Sequence, residues 1–234
     1  MMPVLRRSLF LLGCLLAISC NSDSPYYRVR FYMPDTVSLS PGESVQFDLT
    51  VDRVGDQPGE LRVDMVTAPE GITLSPQVVL PEGEESITVP VTVSATQGIQ
   101  VSGTQQTLLQ AKDSVKDIVS GATLFVVVLP PPVPADGFSI AAEDRTLDFY
   151  PGQTQFAAIQ VTRTNGFTGP VTLTIESPTK RVLAKPMVVP AEQPSTRFLI
   201  ETTDSTPRLP VPITVIATSE DGRQAKMGLT INVR

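Results

Sequence analysis

Residues 41–79 of this 234-residue chain recur at 151–189, shifted by 110 positions without a gap. Pro41-Gly42 matches Pro151-Gly152. Val51 and Arg53 match Val161 and Arg163, and Gly59 matches Gly169. Pro76, Val78 and Val79 match Pro186, Val188 and Val189. Between these identities the physical classes agree too, with Leu61, Val63 and Met65 opposite Val171, Leu173 and Ile175. Such an internal repeat requires one structural unit to be built twice.

The periodicity says what that unit is. Val45, Phe47, Leu49 and Val51 alternate with Gln46, Asp48 and Thr50; Ile87, Val89, Val91 and Val93 alternate in the same way. In the second copy Ala157, Ile159 and Val161 alternate, then Ile213, Val215 and Ala217, then Leu229, Ile231 and Val233. A period of two buries one face of a strand and wets the other. Pro41-Gly42 and Pro151-Gly152 are turn signals. Asp221-Gly222 is a hairpin signal between the last two runs. No stretch after the N-terminal segment has a helical period. Each copy therefore reads as about seven short strands. The fold class expected is all-β: two tandem antiparallel β-sandwiches packed in aligned fashion.

The boundary between the copies falls at Pro130-Pro131-Pro132-Val133-Pro134. Prolines at this density favour an extended polyproline II spacer. The expectation is a semi-rigid linker over residues 130–136 that holds the copies apart.

The first twenty residues have the layout of a secretory signal. Arg6 and Arg7 form a positive region, Ser8 to Ile18 is apolar, and Leu16-Ala17-Ile18-Ser19-Cys20 follows. The apolar run is roughly half the length needed to span a membrane. A cut before Cys14 would leave too short an apolar run, whereas an ordinary cleaved signal without lipid is also compatible with these residues. The Ile18-Ser19-Cys20 end resembles the lipobox of bacterial lipoproteins. That resemblance implies cleavage before Cys20 and acylation of its thiol, palmitate among the acyl chains. Asn21 in place of aspartate favours the outer over the inner membrane by the same resemblance. The expected organisation is a signal peptide at 1–19, a lipid-anchored tether at 20–26, a first sandwich at 27–129, the linker, and a second sandwich at 137–234.

Composition narrows the function. Removing Arg6 and Arg7 leaves 16 basic against 24 acidic residues, a net charge of −8. This argues against nucleic acid or anionic lipid as a partner. The chain has no histidine and no tryptophan, and its two cysteines are Cys14 and Cys20. Zinc and copper sites of the usual kinds are excluded, as are Ser-His-Asp and Cys-His hydrolases.

A second resemblance is carried by Pro151-Gly152, Val161-Thr162-Arg163, Gly166-Phe167-Thr168-Gly169-Pro170-Val171 and the Leu229–Val233 strand. This pattern resembles the Ig-like repeats of bacterial surface and secreted proteins. The first copy is similar but degraded, with Gly59-Glu60-Leu61 in place of Gly169-Pro170-Val171. It keeps Ala68-Pro69-Glu70-Gly71-Ile72-Thr73, which is similar to another element of the family. The resemblance implies Ig-like sandwiches and says little about activity, because such modules serve many roles.

The function expected is therefore non-enzymatic, without cofactor or metal: a lipid-anchored structural or protein-interaction module of the cell envelope. Its partners would be the membrane, through Cys20, and another envelope or surface protein. The alternatives are an accessory subunit of an envelope secretion or transport complex, or a calcium- or carbohydrate-dependent adhesin.

Apart from Cys20, only weak site candidates emerge. Tyr26-Tyr27-Arg28-Val29-Arg30-Phe31-Tyr32 is the densest aromatic cluster. It reads as a first strand with one buried face, or as a contact surface. Asp113–Gly121 is longer than its counterpart turn and is the best candidate contact loop. Glu82-Gly83-Glu84-Glu85, Asp113, Asp117, Glu143 and Asp144 are expected in solvated turns. No Asp-x-Asp-x-Asp-Gly calcium loop is present.

Overall fold

The computed structural model describes residues 28–55, 59–100, 103–115 and 119–234. Nine strands make the first sandwich: β1 (Arg28–Tyr32), β2 (Thr36–Leu39), β3 (Ser44–Val54), β4 (Leu61–Met65), β5 (Ile72–Ser75), β6 (Val78–Leu80), β7 (Ser86–Ala95), β8 (Gly103–Asp113) and β9 (Val119–Val128). Nine more make the second: β10 (Phe138–Ala142), β11 (Thr146–Phe149), β12 (Thr154–Arg163), β13 (Val171–Glu176), β14 (Val182–Leu183), β15 (Met187–Val189), β16 (Ser195–Thr202), β17 (Pro210–Ser219) and β18 (Gln224–Val233). The sheet orders are β1-β3-β7-β5 facing β2-β9-β8-β4-β6, then β10-β12-β16-β14 facing β11-β18-β17-β13-β15. The two sandwiches have the same connectivity, strand for strand. The chain is all-β with the strand order of an Ig-like sandwich.

The alternation read from the sequence positions the cores. Leu49, Val51, Val91, Leu61, Val63, Leu109 and Ala111 bury the inner faces of the first sandwich. Phe138, Ile159, Leu173, Phe198, Val215 and Ile231 are among those that do so in the second. Burying such side chains stabilises by about 1.5–3 kcal/mol each. The repeated Arg of Val-x-Arg closes each sandwich at one corner. Arg163 donates to the carbonyls of Gly169, Pro190 and Gln193 at 3.2, 2.8 and 2.8 Å. Arg53 reaches the carbonyls of Glu84 and Pro81, both at 3.1 Å.

Nine strands per copy among the described residues exceed the expected seven or so. The first expected strand divides because the chain changes sheet. β1 pairs with β3, whereas β2 crosses over and pairs in parallel with β9; β10 and β11 do the same against β12 and β18. The region between β4 and β7 also yields two short strands, β5 on one sheet and β6 on the other. Runs of three or four residues are too short for periodicity to show.

The proline segment does not hold the copies apart. The outer face of the β2-β9-β8 side meets the outer face of the β11-β18-β17 side along a buried polar seam. In β2, Val37 and Leu39 enter the first core, so alternation turns Thr36 and Ser38 the other way. In β18, Leu229, Ile231 and Val233 enter the second core, which turns Gly228, Thr230 and Asn232 to the seam. Thr36 Oγ1 donates to Asn232 Oδ1 at 3.0 Å, and Asn232 Nδ2 donates to Asp148 Oδ1 at 2.7 Å. Ser38 Oγ donates to Thr230 Oγ1 at 2.7 Å and lies 2.8 Å from Thr146 Oγ1. A hydroxyl has one proton, so Thr146 is the donor to Ser38. Arg145 donates to Glu43 and, at 3.2 Å, to Ser40 Oγ. Arg234 bridges Asp35 and Asp148 at 3.4 and 3.1 Å. Thr104 Oγ1 adds a bond to the Pro210 carbonyl at 2.9 Å.

Val127, Leu129 and Ile216 are buried yet belong to none of the three core clusters. Their neighbours Val126, Val128, Val215 and Ala217 face the cores, so these side chains face outward. Leu129 explains Gly228: a Cβ there would lie 2.8 Å from Leu129 Cβ and 3.2 Å from Pro130 Cδ. Gly228→Ala is therefore expected to destabilise by about 1–3 kcal/mol through overpacking, read as a lower urea midpoint. Gly98→Ala, where a Cβ meets nothing within 4 Å, should stay within about 0.5 kcal/mol of the parent.

Candidate functional site

Two segments singled out in the sequence come together at one edge of the first sandwich. Among the described residues β1 is an edge strand that pairs only with β3. Its free side faces the start of β9 across an open groove lined by Arg28–Tyr32 and Ser120–Ala122. The Val29 N–H donates across it to Ser120 Oγ at 3.3 Å. Val29 is buried and Phe31 is half-buried against the core; Arg28, Arg30 and Tyr32 point to solvent. The aromatic segment is thus a first strand with one buried face over the part described. Tyr26 and Tyr27 lie outside the described residues, as do Cys20 and the whole of residues 1–27.

The contact-loop candidate divides in three. Lys116, Asp117 and Ile118 lie outside the described residues. Ser120 and Gly121 belong to β9 and line the groove. Asp113 ends β8 and is 1% exposed, which corrects its assignment to a solvated turn. Its Oδ1 accepts from the Val115 N–H at 2.8 Å. Gly59 leaves room for that carboxylate, since a Cβ there would collide with Oδ1. The matching Gly169 serves a different purpose: its missing side chain makes room for the Phe167 ring, 3.0 Å from where a Cβ would stand. One repeated glycine thus accommodates two unrelated neighbours.

The other described acidic positions are solvated. Glu82, Glu84 and Glu85 are exposed on the turn before β7, and Glu143 and Asp144 are exposed between β10 and β11. Among the described residues no three His, Cys, Asp or Glu side chains are placed to hold a metal ion.

The Gly166-Phe167-Thr168-Gly169 motif plugs one end of the second sandwich. The Phe167 ring stacks on Phe138 with centroids 5.0 Å apart, and the Arg223 guanidinium sits 4.8 Å above Phe167. Arg223 Nε reaches both Asp221 oxygens, at 3.0 and 2.8 Å. Its NH1 donates to the Asp136 carbonyl at 2.5 Å. The hydrogen bonds from Arg223 and from Ser219 hold the Asp221 carboxyl well below the usual carboxylate range. A carboxylate with a depressed folded pKa contributes stability above its unfolded value, near 3.9, and loses it as pH falls further. The pair is exposed and salt-screened, so the contribution is small. Asp221→Asn should lower the urea midpoint at neutral pH. The gap from the parent should close as pH falls below about 4, and shrink in high salt.

The sequence reading missed the seam altogether. Its only trace is hydroxyl and amide residues at alternate positions of otherwise apolar strands, Thr36-Val37-Ser38-Leu39 and Leu229-Thr230-Ile231-Asn232-Val233. Such alternation normally marks a strand with one buried and one wet face, whereas strands buried on both faces are usually apolar throughout.

No protein-family model and no curated protein sequence matches the chain. Solved structures do. The sialic acid binding region of a Streptococcus sanguinis adhesin is 12% identical, with a TM-score of 0.33, over 88% of this chain and 77% of its own. A Porphyromonas gingivalis protein of unknown function is 15% identical, with a TM-score of 0.33, over 88% and 99%. The fibronectin(III)-like modules of Clostridium thermocellum CbhA are 12% identical, with a TM-score of 0.27, over 88% and 94%.

Proposed function

We propose that this chain is a lipid-anchored, non-enzymatic module of the bacterial cell envelope. It presents a rigid pair of Ig-like sandwiches to another envelope or surface protein. Residues 1–19 are the signal peptide, Cys20 carries the lipid and residues 20–26 form the tether. The first sandwich occupies 27–129, the linker 130–136 and the second sandwich 137–234. The outer membrane is the expected site, on the strength of Asn21.

The observation that carries this reading is the seam. Hydrogen-bonded side chains buried between two sandwiches resist relative motion, which suits a part that bears or positions a partner. The Ile18-Ser19-Cys20 sequence supports the anchor, and a net charge of −8 after signal removal speaks against nucleic acid as the partner. Edge strands such as β5 and β14 offer a route to strand-addition contacts.

Cell fractionation tests the anchor. The parent chain is expected in the membrane fraction, labelled when cells are fed an alkyne analogue of palmitate. Cys20→Ala should lose the label and move to the soluble fraction. A Cys20→Ala chain that stayed on the membrane would overturn the lipid as its sole tether.

A further inference from the structure

The second sandwich shows what belongs in the groove of the first. There, the extended segment Val133-Pro134-Ala135 lies between β18 and β10 and bonds to both. The Val133 N–H donates to the Lys226 carbonyl at 2.9 Å, and the Lys226 N–H returns a bond to the Val133 carbonyl at 2.8 Å. The Ala135 N–H donates to the Phe138 carbonyl at 2.9 Å. A three-residue segment thus fastens an edge of one sheet to an edge of the other.

Hydrogen-bond register gives the equivalents in the first sandwich. Val29 pairs with Arg53 as Phe138 pairs with Arg163. The Phe125 N–H donates to the Asp35 carbonyl as the Thr230 N–H donates to that of Arg145. Counting back four residues from Phe125 and Thr230 equates Gly121 with Lys226. Counting back from Val29 and Phe138 equates Ser24-Pro25-Tyr26 with Val133-Pro134-Ala135, and the central prolines coincide. The acceptor is in place: β2 covers β9 only from Phe125 to Val128. Strand alternation turns the Gly121 N–H the same way as that of Phe125, toward the groove.

We propose that the β1–β9 groove is a strand acceptor whose occupant is the chain's own Ser24-Pro25-Tyr26 segment. The Ser24 backbone would exchange two hydrogen bonds with Gly121, and the Tyr26 N–H would donate to the Val29 carbonyl. Ser24–Tyr26 lie outside the described residues, so the proposal stands on the groove and its filled counterpart. Its consequence rests on the lipid reading above. Cys20 precedes Ser24 by four residues, a span of at most about 14 Å. The anchor would then be clamped to the first sandwich instead of hanging on a free leash.

Amide exchange at Gly121, followed by NMR in the Cys20→Ala chain beginning at residue 20, tests this without lipid. Gly121 should exchange slowly there. It should exchange at least tenfold faster when residues 21–27 are deleted, and also in Ser24→Pro, which lacks the donating N–H. The Leu49 and Val91 amides, in the middle of β3 and β7, should keep their rates and so report an intact core. Equal Gly121 exchange with and without residues 21–27, fast or slow, would overturn the proposal. Loss of the lipid reading would leave this result unchanged, so the two failures are distinguishable.

Discussion

The seam between β2 and the β11–β18 edge sets how the two halves of this protein relate. An apolar contact of the same area would tolerate sliding, because dispersion and hydrophobic burial are non-directional. Hydrogen-bonded side chains do not tolerate it. Thr146 donates to Ser38 and Ser38 to Thr230, so the direction of each bond follows from the last. Asn232 accepts from Thr36 through its oxygen and donates to Asp148 through its nitrogen, which also settles its amide orientation. Buried polar networks of this kind specify one arrangement when fully satisfied and are costly when broken. The register follows: as β2 runs from Thr36 to Ser38, its partners on β18 run back from Asn232 to Thr230. The linker continues in that sense, with Leu129 over Gly228 and Val133 beside Lys226.

The duplication gives the seam a second meaning. β2 and β11 are equivalent strands, as are β9 and β18, so each copy turns the same face toward the other. That is the geometry of an isologous contact, in which one surface patch serves both partners, built here within one chain. The two faces have nevertheless diverged. Thr230 and Asn232 of β18 stand where β9 has Phe125 and Val127. The terminal strand of one copy thus carries polar groups where the terminal strand of the other carries apolar side chains, and the first copy supplies its polar groups from β2 instead. The opposite outer faces have diverged as well. β3 and β7 pair Ser44 with Ser94 and Thr50 with Thr88 through their hydroxyls, at 2.8 Å each. At equivalent positions to Gln46 and Thr92, β12 and β16 place Phe156 beside Leu199.

Much of the fold was readable because it depends on long alternating strands. β3, β7, β12, β17 and β18 each run eight residues or more with one apolar face, and periodicity reports such runs directly. The turns at Gly42, Gly152 and Gly222 were readable for a local reason, since each needs the positive φ that glycine adopts freely. What the sequence hid depends on tertiary partners. Thr36 and Ser38 look like the wet side of a strand until a second sheet covers them. The proline run looks like a spacer until Val133 bonds to β18. Asp113 looks like a turn residue until Gly59 makes room for it. In the candidate site, the sequence pointed to residues 26–32 and 113–121 separately, and only the β1–β9 juxtaposition joins them.

The central claim is that the seam makes one rigid body of two sandwiches. Residual dipolar couplings of backbone amides, measured in the soluble Cys20→Ala chain, test it most directly. Couplings from residues 28–128 and from 138–233 should each fit one alignment tensor, with the same magnitude and orientation for both sets. Two tensors of different magnitude, or a common fit that fails while the separate fits hold, would mean that the sandwiches move independently and that the seam does not lock them.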